Sequence, residues 1–167
     1  VERYVMPSGD VEYAVYIAGT QSFGGDDAFD AGASVDLYAG QRSAAYDATV
    51  EALRLAGAEP GDVVHAFGHS QGAMIGERLA TDSPFRVETA GSFGSPVQVD
   101  VPDHTLAVSL RHTDDPVAAL QAGGHPNGVG APSSFIVERL ADPLPGLRDL
   151  SVPAHHMDAY TETARMV

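Results

Sequence analysis

The order of apolar and polar positions along the chain predicts strands that alternate with helices. Val1–Met6 and Val11–Ile17 are alternating or apolar runs on either side of a Pro-Ser-Gly-Asp turn, and they predict a β-hairpin. Asp36–Ala58 carries apolar residues at helical spacing and ends at a glycine and a proline, which predicts a helix. The chain therefore begins with antiparallel strands and continues into a helix.

The later apolar segments continue this alternation. Val87–Phe93, Leu106–Leu110 and Ser134–Leu140 predict further strands, and His156–Val167 predicts a closing helix. Strands that alternate with helices form a mostly parallel sheet with helices packed against it. We therefore expect an α/β fold, with a mostly parallel central sheet flanked by helices and an N-terminal β-hairpin. In such folds, ligand sites lie outside the carboxyl ends of the strands.

The segment Asp62–Ala80 (DVVHAFGHSQGAMIGERLA) contains the most informative motif. It reads as a buried strand, a Gly-His-Ser-Gln-Gly turn and an amphipathic helix. Gly68 and Gly72 flank Ser70 at the spacing of a nucleophile elbow, where larger side chains would collide with the neighbouring strand and helix. A structural glycine turn is the alternative, since the chain has 18 glycines in 167 residues. The strand before the motif and the helix after it favour the nucleophile.

A serine nucleophile needs a base to remove its proton and an acid to orient that base. In this type of fold, the acid and then the histidine follow the serine along the chain. Asp114 and Asp115 come just after the predicted strand Leu106–Leu110, and His155 and His156 come just before the closing helix. The sequence therefore supplies candidates for both partners, with two alternatives for each.

Several segments together resemble the small α/β-hydrolases of the lipase, cutinase and esterase group. GHSQG is similar to the GxSxG elbow, and TDDPVAAL to the segment that carries the lipase acid. HHMDAY resembles the start of the terminal helix in many bacterial hydrolases, and YIAGTQSF resembles the strand and oxyanion loop of lipases. The matches span residues 16–160. The resemblance implies a compact α/β-hydrolase, and we expect residues 1–167 to form one catalytic domain.

The resemblance also implies roles for individual residues. Ser70 matches the nucleophile. Asp115 matches the acid, because it directly precedes Pro-Val as in the lipase pattern, and Asp114 is the alternative. His155 matches the base through its spacing to the tyrosine of the closing helix, and His156 is the runner-up.

Hydrolysis through a serine also needs two N–H donors that hold the oxyanion. We expect one to be the backbone N–H of Gln71, at the N-terminus of the helix that follows the nucleophile. The second is expected from the backbone of Thr20 or Gln21, and the Thr20 hydroxyl is a further donor. A simple turn at Gly19-Thr20 is the alternative.

Composition limits the partners and the cofactors. The formal charge is −14, and all nine basic residues are arginine, so we expect neither nucleic acid nor an anionic membrane as a partner. No apolar run reaches membrane-spanning length. There is no cysteine, and the histidines lack the spacing of metal ligands, so we expect no cofactor and no metal.

The resulting prediction is a serine ester hydrolase that works through an acyl-enzyme on a small or lipid-like ester. An acyltransferase would use the same residues, and a non-catalytic interaction module on the same fold is the alternative from another class. The chain opens on Val1 without an initiator methionine, so we expect an excised domain or a processed product. The location in the cell, including export, and the oligomeric state stay open.

Overall fold

The computed structural model describes residues 1–19, 43–121, 129–142 and 152–167. These residues contain a six-stranded sheet whose strands lie side by side in sequence order. The strands are β1 (Glu2–Val5), β2 (Val11–Ile17), β3 (Val63–His69), β4 (Arg86–Phe93), β5 (Leu106–His112) and β6 (Phe135–Arg139). The described part of the chain also contains the helices α1 (Ala44–Leu55), α2 (Gln71–Asp82) and α3 (Met157–Ala164).

The pairing of the strands confirms the predicted sheet. β1 pairs antiparallel with β2, and every pair from β2 to β6 is parallel. Gly9 supplies the positive φ of 93° in the turn between β1 and β2, a conformation that glycine adopts without steric cost. The chain therefore has an α/β fold with an antiparallel hairpin at its start, and the carboxyl ends of β2–β6 lie at one edge of the sheet.

The main core lies between one face of the sheet and the helices α1 and α2. Alternate residues of β2 and β3 point into it, which is the two-residue period of a strand. The largest fully buried apolar side chains at this interface include Leu53 of α1, Val64 of β3, and Ile75 and Leu79 of α2, all 0% exposed. Full burial of such a side chain contributes roughly 1.5–3 kcal/mol. The helix α2 is thereby fixed against the strands that flank the Ser70 turn.

The predicted element boundaries differ from the observed ones mainly at the first helix. Ser43 is extended, with φ −112° and ψ 159°, and its side chain accepts a hydrogen bond of 3.2 Å from the Tyr46 N–H. Helix α1 therefore begins at Ala44, and the predicted start at Asp36 lies outside the described residues. In the part of the chain that the structure describes, no helix has the length and apolar character needed to cross a membrane.

Candidate active site

The turn between β3 and α2 holds Ser70 in an unusual backbone conformation. Its φ of 54° and ψ of −119° lie outside the regions that a non-glycine residue normally adopts, at a cost on the order of 1–3 kcal/mol. A Cβ at Gly68 would lie 2.0 Å from the Gly72 carbonyl oxygen, and one at Gly72 would lie 2.2 Å from the Ile17 carbonyl oxygen. Only glycine fits at either position. The turn places Ser70 directly before the first residue of α2.

Hydrogen bonds connect Ser70, His155 and Asp115. The Nε2 atom of His155 lies 2.9 Å from Ser70 Oγ, and its Nδ1 atom lies 2.7 Å from Asp115 Oδ2. Asp115 follows β5, and His155 ends a single 3₁₀ turn, Pro153–His155, that precedes α3. Three segments far apart in sequence thus meet at the carboxyl edge of the sheet.

The partners of His155 fix its tautomer. The Asp115 carboxylate can only accept, so Nδ1 carries the proton and Nε2 accepts from the Ser70 hydroxyl. Asp115 is 1% exposed, and this burial acts to raise its pKa. Hydrogen bonds from His155, Tyr160 and the Val117 N–H outweigh the burial and hold the pKa of Asp115 below its ordinary value. The group beside the histidine is therefore an anion that stabilises a protonated imidazole.

Asp114, the alternative acid, binds a different segment. Its Oδ1 accepts from the Ala141 N–H at 3.0 Å, and its Oδ2 accepts from the Asp142 N–H at 2.6 Å. Burial acts to raise the pKa of Asp114, but these backbone hydrogen bonds lower it below the ordinary value. Asp114 thus anchors the chain that follows β6, while Asp115 contacts the histidine.

His156, the runner-up base, is the N-cap residue of α3. Its carbonyl oxygen accepts from the Ala159 N–H at 3.0 Å and from the Tyr160 N–H at 3.3 Å. The imidazole that reaches both Ser70 and Asp115 belongs to His155.

The structure describes only one of the two predicted oxyanion donors. Gln71 is the first residue of α2, where backbone N–H groups have no acceptor within the helix and the helix dipole favours negative charge. Thr20 and Gln21 lie outside the described residues. The last described residue before them is Gly19. It lies so close to Ser70 that a Cβ added to it would be 3.2 Å from the Ser70 Cβ. Gly19, two residues after the end of β2, therefore lies directly beside the serine.

Sequence reasoning gave no role to three ring-bearing residues at or beside this site, Tyr160, His112 and His69. Tyr160 of α3 donates its hydroxyl hydrogen to Asp115 Oδ2 at 2.7 Å, and the His112 ring stacks on the Tyr160 ring. His69, which precedes the serine, donates from Nε2 to the His155 carbonyl at 2.7 Å, and burial lowers its pKa. The motif HHMDAY contains Tyr160, but no pattern in the sequence indicates which side chain its hydroxyl contacts.

An apolar cleft of about 600 Å³ borders the site, on the side of the sheet that faces away from α1 and α2. Its largest lining side chains are Tyr16, Phe67, Phe93 and Met157, and it extends to Gly19 and His69 beside the serine. The rings of Tyr16 and Phe67 stack with centroids 5.6 Å apart. Among the described residues, no three His, Asp or Glu side chains lie close enough together to hold a metal ion.

Comparison of the chain with protein-family models, with curated proteins and with solved structures found no match.

Proposed function

We propose that this chain is a serine ester hydrolase of the α/β-hydrolase type that works through an acyl-enzyme on Ser70. The observation that carries the proposal is the pair of hydrogen bonds, 2.9 Å and 2.7 Å long, that joins Ser70 Oγ through His155 to Asp115. A serine hydroxyl becomes a useful nucleophile only when a base and an orienting acid are aligned in this way. The strained turn supports the same conclusion, because backbone strain of this kind concentrates at functional sites.

The proposed reaction uses these atoms in two half-reactions. Ser70 Oγ attacks the ester carbonyl carbon while His155 Nε2 takes the hydroxyl proton. The tetrahedral intermediate collapses, and the departing alcohol takes that proton from the imidazole, which leaves an ester on Ser70. Water then attacks the acyl-enzyme with His155 again acting as base, and the acid is released. Asp115 remains ionised throughout and stabilises the imidazolium.

The oxyanion of each tetrahedral intermediate is held by backbone N–H groups. The Gln71 N–H at the start of α2 supplies the first donor, and the helix dipole adds to its effect. The second donor comes from Thr20 or Gln21, the residues that follow Gly19. Loss of one such donor typically slows a reaction by 10²–10³-fold.

The surroundings of the site favour an uncharged substrate with an apolar group. The adjoining cleft is lined mainly by aromatic and apolar side chains, which favours a small or lipid-like ester. The formal charge of −14 repels anionic substrates.

Covalent labelling with a fluorophosphonate tests the proposal. We expect labelling of Ser70 in the wild type and none in Ser70→Ala, with peptide mass spectrometry locating the adduct. Ser8→Ala, in the exposed turn between β1 and β2, is the matched control and should label like the wild type. A panel of p-nitrophenyl esters, with and without added alcohol, then separates hydrolysis from acyl transfer. A folded wild-type protein that neither labels nor hydrolyses any ester would contradict the proposal and favour a non-catalytic interaction module.

A further inference from the structure

Tyr160 contacts the acid of the site on the same oxygen as the base. Its hydroxyl donates to Asp115 Oδ2 at 2.7 Å, and the His155 Nδ1–H donates to that same atom at 2.7 Å. Tyr160 is 0% exposed. Burial and the neighbouring Asp115 raise its pKa well above the ordinary value of a tyrosine, so the hydroxyl keeps its proton and remains a donor. Two donors therefore share one carboxylate oxygen in a buried environment.

His112 holds Tyr160 in place and also binds the loop that carries the base. Its ring stacks on the Tyr160 ring with centroids 3.9 Å apart and an angle of 11° between the planes. Its backbone N–H donates to the Tyr160 hydroxyl oxygen at 3.3 Å. Its Nδ1–H donates to the carbonyl of Ala154, the residue before His155, at 2.6 Å, and its Nε2 lies 2.8 Å from the Thr163 hydroxyl.

We propose that Tyr160 is a positioning residue that orients Asp115 and shares the charge of its carboxylate with His155, and that His112 fixes Tyr160 relative to the loop of the base. The proposal rests on the proposed function, because it assigns a role within that reaction. Tyr160 acts through the Asp115 carboxylate. Tyr160 and His112 thus add to Ser70, Asp115 and His155, the three residues to which the sequence motifs give catalytic roles.

The physical basis is competition between donors for the charge of one carboxylate. A hydrogen bond from Tyr160 takes part of the negative charge that Asp115 would otherwise direct at His155. Without that bond, the full negative charge of the carboxylate faces the imidazolium and stabilises it more strongly. The aspartate also loses one of the contacts that fix its orientation, and the alignment of the imidazole towards Ser70 becomes less exact.

Other titratable groups lie near Tyr160 and Asp115. They are His69 at the end of β3, His112 of β5, Asp114 after β5, and His156 beside the base. Tyr160→Phe removes only one oxygen atom and leaves all of these groups in place. A change in the pH profile of that variant therefore reports on the hydroxyl.

The experiment compares Tyr160→Phe with Tyr13→Phe in the hydrolysis of p-nitrophenyl butyrate between pH 5 and pH 9. Tyr13 is a matched control, because it is 2% exposed but lies on β2, three strands away from β5 in the sheet. For Tyr160→Phe we expect kcat to fall roughly tenfold, the size expected for one hydrogen bond to a charged group, with KM little changed. The midpoint of kcat/KM should move to higher pH by roughly half a unit or more. Tyr13→Phe should keep both the wild-type kcat and the wild-type midpoint.

Two outcomes separate this inference from the proposed function. An active wild type together with a Tyr160→Phe variant of unchanged kcat and unchanged midpoint would overturn the role of Tyr160 alone. A wild type that shows no labelling of Ser70 would instead overturn the reaction itself. If Tyr160→Phe does not fold, 3-fluorotyrosine incorporated at position 160 replaces it. This phenol is a stronger donor, so the midpoint should move to lower pH, and an unmoved midpoint would refute the inference.

Discussion

Replacing Glu77 with glutamine should stabilise the protein at neutral and alkaline pH. Glu77 lies on α2, is 6% exposed, and accepts a hydrogen bond of 3.2 Å from the Ser95 hydroxyl. It lines a small cavity with the hydroxyl-bearing residues Ser92 and Ser109, among apolar side chains. Burial raises the pKa of Glu77 from 4.5 to about 8, and serine hydroxyls offset only part of that effect. The helix that begins beside Ser70 therefore contains a carboxyl group that is protonated at neutral pH.

The expected magnitude follows from the linkage between proton binding and folding. The folded state holds this proton more tightly than the unfolded state, so unfolding releases it between pH 4.5 and pH 8, and stability falls as pH rises through that interval. The slope for one proton is about 1.4 kcal/mol per pH unit. Over the whole interval this amounts to at most about 5 kcal/mol, and to about 3 kcal/mol at pH 7. Glutamine keeps the size of the side chain and removes the ionisation.

Urea unfolding followed by circular dichroism at pH 5, 6, 7, 8 and 9 measures this effect. The difference in unfolding free energy between Glu77→Gln and the wild type should grow by about 1.4 kcal/mol per pH unit up to pH 8 and then level off. Glu51→Gln is the control, because Glu51 lies on α1 with a side chain that is 60% exposed, and its curve should run parallel to that of the wild type. Parallel curves for Glu77→Gln and the wild type would refute the reasoning, since they would mean that Glu77 ionises equally easily in both states.

Three further predictions concern the site. Asp115→Asn should lower kcat by several orders of magnitude, because Asp115 contacts the imidazole of His155. Asp114→Asn should act mainly on stability, because Asp114 binds backbone N–H groups after β6. Equal losses of kcat in the two variants would contradict this assignment. His155→Ala should reduce ester hydrolysis to the level of Ser70→Ala, whereas His156→Ala should not. The wild-type rate should rise with pH through one ionisation, because the base must be neutral to accept the serine proton. Prolonged dialysis against EDTA should leave the rate with a short-chain ester unchanged; a loss that zinc restores, at an unchanged melting temperature, would argue for a metal-dependent reaction.

Local patterns in the sequence are sufficient to predict the order of the elements and the strand-to-helix turn at Ser70. The alternating or apolar run Val11–Ile17 predicts the second strand of the hairpin, and β2 has the same bounds. The glycines around Ser70 predict a tight strand-to-helix turn, because the collisions they avoid lie within the turn or at the adjacent strand. These features depend on residues close in sequence or on one neighbouring strand, so the spacing of residue types is enough to indicate them.

The start of the first helix needed more than apolar periodicity. Apolar periodicity extends the predicted helix back to Asp36, but Ser43 accepts a hydrogen bond from the Tyr46 N–H and thereby caps the helix at its first turn. Apolar spacing continues through a cap, since a side chain that packs on the core can belong to either a helix or the segment before it. The capping hydrogen bond, and not the periodicity, decides where the helix begins.

Which of two adjacent candidates contacts the imidazole depends on the tertiary structure. Asp114 and Asp115 are adjacent and have the same chemistry. The Asp114 side chain contacts Ala141, 27 residues later in the chain, and the Asp115 side chain contacts His155, 40 residues later. The contact between Tyr160 and Asp115 spans 45 residues, and the burial of Glu77 depends on how α2 packs against β4. Spacing along the chain shows which residues can form a turn, a strand or a helix. Which carboxylate receives which hydrogen bond is determined by how those elements pack, because hydrogen bonds between distant segments form only where packing brings donor and acceptor within about 3 Å.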